Sequence, residues 1–122
     1  MGKKILIVDD TSSILENLRE LLLMEGYAVA AATNGIEALG ELEKEVPDLI
    51  ITDLVMPQMD GFTFIREVKK QARLRRIPIL IFSAKPMEED GKRIAELGAD
   101  SFVLKPSSTE VILDSVTALI SA

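Results

Sequence analysis

Five short apolar runs recur along the 122-residue chain, at 5–8, 28–32, 49–51, 79–82 and 102–104. Each is continuous rather than alternating, which is the pattern of strands buried on both faces of a parallel sheet. The segments between them have helical periodicity and recognisable starts. Ser13-Ile14-Leu15-Glu16 reads as a capping box ahead of Leu18, Leu21 and Leu22, and Gly26 stops that segment. Asn34-Gly35-Ile36-Glu37 opens a second helix, and Asp60-Gly61 opens a third that carries Phe64, Ile65 and Val68. A fourth is expected over 88–97, closing at Gly98, and Ser107-Ser108-Thr109-Glu110 reads as a second capping box before the last helix. Strands alternating with helices through right-handed crossovers predict an α/β fold, a five-stranded parallel sheet covered by helices on both faces. No linker, repeat or low-complexity stretch divides it, so 1–122 is read as a single domain.

Composition narrows the chemistry. The chain has no histidine and no cysteine, which removes thiolate metal sites, thiol nucleophiles and the commonest general base. Cysteine-free composition also fits a reducing cytoplasm. With 14 basic and 20 acidic side chains the formal net charge is −6, a poor match to a polyanion, so nucleic-acid binding by this domain alone is not expected. The cluster Arg73, Arg75 and Arg76 reads as a solvated helix end. No apolar stretch approaches membrane-spanning length, and the opening MGKKILIV is read as the first strand rather than a signal peptide.

Parallel sheets of this kind bind ligands beyond the carboxyl ends of their strands. The first run ends in Asp9-Asp10, the third in Asp53, the fourth in Ser83-Ala84 and the fifth in Lys105-Pro106. Three carboxylates brought together repel one another unless a cation joins them. A hard divalent ion does so through oxygen ligands alone, and magnesium typically takes one or two carboxylates, waters and a phosphate oxygen. Lys105 adds a point cation suited to a phosphoryl group, and Ser83 a hydroxyl donor. Aspartate, anionic at neutral pH, attacks phosphorus without the base that this chain lacks. The constellation describes a phosphoryl-accepting carboxylate beside Mg2+, for which Mn2+ could substitute.

The segments ILIVDD, NGIEAL, PDLIITDLVMPQMDG, IPILIFSA and GADSFVLKP, in this order and spacing, closely resemble the receiver domain of two-component response regulators. The resemblance covers essentially the whole chain. It implies the flavodoxin-like strand order 2-1-3-4-5. It makes Asp53 the phosphoacceptor, Asp10 a direct metal ligand and Asp9 a ligand through water, with the backbone carbonyl of Val55 completing the metal shell. Ser83 matches the switch hydroxyl, Lys105 the lysine that pairs with the phosphoryl group, and Phe102 the switch aromatic. Pro106 matches a proline commonly preceded by a cis peptide bond. The implied function is a phosphorylation-dependent signalling switch. The phosphoryl group comes from a histidine kinase or a histidine phosphotransfer domain, and the output partner or dimer mate binds through the fourth helix, fifth strand and fifth helix. Such a domain is cytoplasmic and not a conventional enzyme, although it assists its own phosphorylation and dephosphorylation.

Three departures from the family pattern stand out. Phe102 replaces a common tyrosine, so switching would rest on burial without a hydroxyl bond. Ser83 is one methyl short of threonine, which frees its rotamer. Val55 and Lys85 occupy positions that in the family tune phosphoryl lifetime, and here they are expected to shield the acyl phosphate from water. Two other readings remain open: a receiver that acts as a scaffold without phosphorylation, and a Mg2+ phosphatase with an aspartate nucleophile. Against the first, Asp10, Asp53 and Lys105 are all present; against the second, Val55 stands where such enzymes usually place another aspartate. The last helix, with Val111, Ile112, Leu113, Val116, Leu119 and Ile120, carries more apolar surface than one core-facing stripe requires. The chain is read either as a free-standing shuttle or as the receiver of a longer protein.

Overall fold

Residue alternation accounts for how the five apolar runs pack. In a strand, successive side chains point to opposite faces, and here both faces are covered. In the computed structural model, which describes residues 2–84, 95, 96 and 98–121, the strands are β1 Lys4–Val8, β2 Ala28–Ala32, β3 Leu49–Thr52, β4 Ile79–Ser83 and β5 Ser101–Leu104. All pairings are parallel and the order is β2-β1-β3-β4-β5. Four described helices follow in chain order: α1 Ser12–Met24, α2 Gly35–Lys44, α3 Gly61–Lys70 and α4 Thr109–Ser121. Most of the helix expected over 88–97 (88–94 and 97), and Lys85, lie outside the described residues. No described helix is long and apolar enough to cross a membrane.

Leu6, Val8, Ile50, Ile79 and Ile81 face one core with Ala38 and Leu42 of α2 and Phe64, Ile65 and Val68 of α3. Ile5, Ile7, Leu49, Ile51, Leu80 and Phe82 face the other, against Leu15, Leu18 and Leu22 of α1 and Ile112 and Val116 of α4. Each such aliphatic contributes about 1.5–3 kcal/mol when fully buried. Burial on both faces holds completely for the central strands β3 and β4. It does not hold for β2 and β5, which are partly exposed because each is an edge strand with a neighbour on one side only.

The helix starts also differ in part from the sequence reading. Asn34 caps α2 by accepting the Glu37 amide at 2.9 Å, and Asp60 caps α3 by accepting the Thr63 amide at 2.8 Å. Ser13 does not open a capping box. α1 begins at Ser12, its N-cap is Thr11, and no side chain caps it; instead the Thr11 amide donates to Asp9 Oδ1 at 2.9 Å. In the last helix the cap falls one residue later than expected, with the Val111 amide donating to Ser108 Oγ at 3.2 Å. At its other end α1 closes as read. Gly26 adopts φ +93, its amide reaches Leu23 O at 3.0 Å, and the Tyr27 amide reaches Leu22 O at 3.1 Å, the paired bonds of a Schellman motif. Arg73 is not simply solvated, because it donates to the Leu42 carbonyl at 3.0 Å.

Candidate functional site

The site residues follow directly on strands and inherit their rigidity. The Asp9 amide donates to Ala32 O at 3.1 Å, the Asp53 amide to Val8 O at 3.0 Å, and the Lys105 amide to Ser83 O at 2.8 Å. Each bond extends a strand ladder by one rung, so three loops from three strand ends start from fixed points on one rim.

Their side chains converge there. Ligand oxygens of Asp9, Asp10 and Asp53 all lie within 4.8 Å of one another. Asp9 is 2% and Asp53 8% exposed, whereas Asp10 faces solvent. Lys105 Nζ donates to Asp9 Oδ2 at 2.5 Å and to Asp53 Oδ2 at 3.1 Å, and sits 5.3 Å from the centre of the Phe82 ring. Burial pulls the Lys105 ammonium toward its neutral form, but the bond to Asp9 and the charge of Asp53 outweigh it, leaving its pKa above the ordinary value. Asp53 Oδ1 accepts the Leu54 amide at 2.6 Å and, at a longer 3.4 Å, the Val55 amide. The Thr52 hydroxyl donates to the Asp53 carbonyl at 2.9 Å. The donor set is three clustered carboxylates, with one oxygen face open to solvent at Asp10, and this fits a hard divalent cation.

The remaining residues named from the sequence lie around this cluster. Ser83 ends β4 and is buried. Val55 is 63% exposed at the mouth of the site. Phe102 pairs with Ile81 across β5 and β4 and is half-buried against the core on the α2 and α3 side. The Lys105–Pro106 peptide is cis.

The sequence reading overlooked Gly61 as a site residue. It is the first residue of α3, and its amide donates to Leu54 O at 2.9 Å. A Cβ there would strike the Asp53 carbonyl oxygen and lie 2.6 Å from Leu54 Cα. The available signal was a glycine directly after a helix cap in the loop that leaves β3 after Asp53. Asn34 and Gln58 were also missed as partners, since nothing local to either residue points to the other.

A parallel sheet with this order and an acid–lysine cluster on its carboxyl rim defines a receiver-type signalling protein, and the sequence agrees. The response regulator receiver domain family model matches residues 5–117, and the chain belongs to that family. It is 40% identical over 120 residues to the alkaline phosphatase synthesis transcriptional regulatory protein PhoP of Bacillus subtilis, covering 98% of this chain and 49% of the relative. The chain spans about half the length of the curated relatives it matches. Among solved structures, the signal receiver domain of a signal transduction histidine kinase from Syntrophus aciditrophicus is similar with 38% identity and a TM-score of 0.90, covering 98% of this chain and 91% of the other. The receiver domain of sensor histidine kinase PA1611 from Pseudomonas aeruginosa, with a magnesium ion coordinated in its active site cleft, matches with 26% identity and a TM-score of 0.91 over 100% of both chains.

Proposed function

We propose that residues 1–122 form a single receiver domain that accepts a phosphoryl group on Asp53 in a Mg2+-dependent reaction and changes its partner-binding face in response. The observation that carries this reading is the convergence of Asp9, Asp10 and Asp53 within 4.8 Å, with Lys105 bonded to two of them. The magnesium ion coordinated in the cleft of the PA1611 receiver supports the same use of the acidic cluster here.

Asp10, Asp53 and the Val55 carbonyl would hold Mg2+ directly, and Asp9 through water. When bound, the ion supplies positive charge that neutralises phosphoryl oxygens and aligns them with the acceptor. An Asp53 carboxylate oxygen attacks phosphorus in line; the new O–P bond forms as the P–N bond to the donor imidazole breaks, and its electron pair stays on the nitrogen. Lys105 transfers one of its hydrogen bonds from Asp53 to a phosphoryl oxygen, offsetting charge where it develops. The donor is a phosphohistidine on a histidine kinase or phosphotransfer domain, since this chain has no histidine. On this reading the reaction runs in the cytoplasm, with the kinase's catalytic domain.

The Ser83 hydroxyl then donates to the phosphoryl group, and Phe102 turns further inward. The surface around β5 and α4 changes with it, where Leu104 and Val111 are already exposed. The change is a shift between two packings, and phosphorylation biases it only through its different interaction with each. Hydrolysis of the acyl phosphate, assisted by the same residues, resets the switch.

Beryllofluoride or acetyl phosphate in Mg2+ tests the reading. One phosphoryl analogue is expected at Asp53, and none in Asp53→Ala. No uptake by the wild-type chain, or uptake retained in Asp53→Ala, refutes it; multiple turnover of diverse phosphoesters would point to a phosphatase instead.

A further inference from the structure

The loop from Asp53 to Asp60 carries the acceptor and the Val55 carbonyl, yet it has no regular secondary structure of its own. At its ends it is held by the ladder bond of Asp53 and by the bond from the Gly61 amide to Leu54 O. Its middle reaches a different element. Asn34 Nδ2 donates to Gln58 Oε1 at 3.1 Å across 24 residues of sequence. Gln58 adopts φ +66, a left-handed conformation that glycine takes without steric cost and glutamine does not. Such an outlier directs attention to what the side chain is used for.

Asn34 is 7% exposed and both ends of its amide are engaged, since Oδ1 also accepts the Glu37 amide to cap α2. A second contact joins the same two segments: Met59 covers Gly35 so closely that a Cβ there would lie 2.8 Å from Met59 Cγ. The segment that Asn34 belongs to is itself anchored at the site, because Ala32, two residues earlier, accepts the Asp9 amide. Bonds and chain together therefore form a closed circuit through two of the carboxylates, from Asp9 through Ala32, Asn34 and Gln58 to Asp53. Lys105 ties Asp9 to Asp53 directly, and the Asn34–Gln58 bond ties together the loops that follow β2 and β3.

We propose that Asn34 and Gln58 are positioning residues that hold the acceptor loop, and with it the Val55 carbonyl, in the geometry that takes up Mg2+. The inference rests on the metal reading above. It concerns which residues aim the ligands, not which residues are ligands. Interactions one layer out from a metal's ligands typically change its affinity by 10–100-fold.

The test is Mg2+ titration of the whole chain by calorimetry, alongside thermal unfolding without metal. Asn34→Ser keeps a capping oxygen but is too short to reach Gln58, and Gln58→Met keeps length without the amide. Each is expected to weaken Mg2+ about tenfold, and the double variant no more than the worse single one. Gln58→Gly is expected to weaken Mg2+ equally while its unfolding midpoint stays level or rises, a combination that a purely structural role does not produce. Variants that bind Mg2+ like the wild type overturn the proposal and leave the metal site standing. Additive losses in the double variant also overturn it, and a wild-type chain that takes up no Mg2+ removes the metal reading and this inference together.

Discussion

Replacing Gly61 with alanine probes how closely the first turn of α3 is packed under the Asp53 backbone. Gly61 occupies a helical position, where alanine is intrinsically the better residue by about 1 kcal/mol, so conformational preference alone predicts stabilisation. Space predicts the opposite. The new methyl would lie 2.6 Å from Leu54 Cα, where ordinary contact begins at 3.4 Å, and nearer still to the Asp53 carbonyl oxygen. Both obstacles are backbone, so no rotamer change relieves them, and the helix start or the loop has to retreat by roughly 1 Å. Overpacking of this kind costs about 1–3 kcal/mol, and at about 4 °C per kcal/mol the unfolding midpoint falls by about 4–12 °C. Displacing a reacting group by about 1 Å costs on the order of 10²-fold in rate, so labelling by acetyl phosphate slows by about that factor. Circular dichroism melts and intact-mass kinetics read the two effects. Gly40→Ala is the control: it sits in α2 with nothing within 4 Å of the added carbon, and it should raise the midpoint without altering labelling. A Gly61→Ala chain with wild-type midpoint and labelling rate would refute the steric argument.

Three further outcomes are expected. Lys105→Met leaves Asp9 and Asp53 facing each other without their shared cation and should cost about 3 kcal/mol at low salt, of which Mg2+ at about 100 times its dissociation constant should return about 2.7 kcal/mol; a variant as stable as wild type in denaturant titrations contradicts this. The Lys105 pKa is raised in the folded state above its ordinary 10.5, so the folded chain holds that proton more tightly than the unfolded one. Its contribution is therefore complete below pH 10.5 and lost as pH rises through the higher folded value, a loss that denaturant titrations across that window should show in the wild type and not in Lys105→Met. Gly26→Ala meets no neighbour but forces alanine to φ +93, and should lower stability by about 1–2 kcal/mol with acetyl phosphate labelling unchanged; an unaltered melt would count against the strain.

Much of the fold could be read from residues a few positions apart. Continuous apolar runs located all five strands, and Asn34 and Asp60 were recognised as opening α2 and α3 because a cap bonds three residues ahead. Local pattern failed where a distant group took over a local task. Ser13 looked like a cap because Glu16 follows at the right spacing, but Asp9 accepts the Thr11 amide and α1 starts at Ser12. The exposure of β2 and β5 was likewise absent from their apolar runs, since being at an edge depends on strand order, which the family resemblance implies and the strand's own residues do not carry.

The same division applies to the candidate site. By itself the sequence determined which side chains leave the strand ends: Asp9, Asp10, Asp53, Ser83 and Lys105 each follow or end an apolar run, and the parallel sheet implied by alternating strands and helices brings those carboxyl ends to one rim. Tertiary structure decided which of them touch. Lys105 meets Asp9 across 96 residues and Asp53 across 52, and Asn34 meets Gln58 across 24. Such pairings follow from parallel register and crossover path, which join segments whose own sequences carry no mark of each other. The closeness of Gly61 to the Asp53 carbonyl belongs with them, because a missing side chain reveals its purpose only once the backbone beside it is in place.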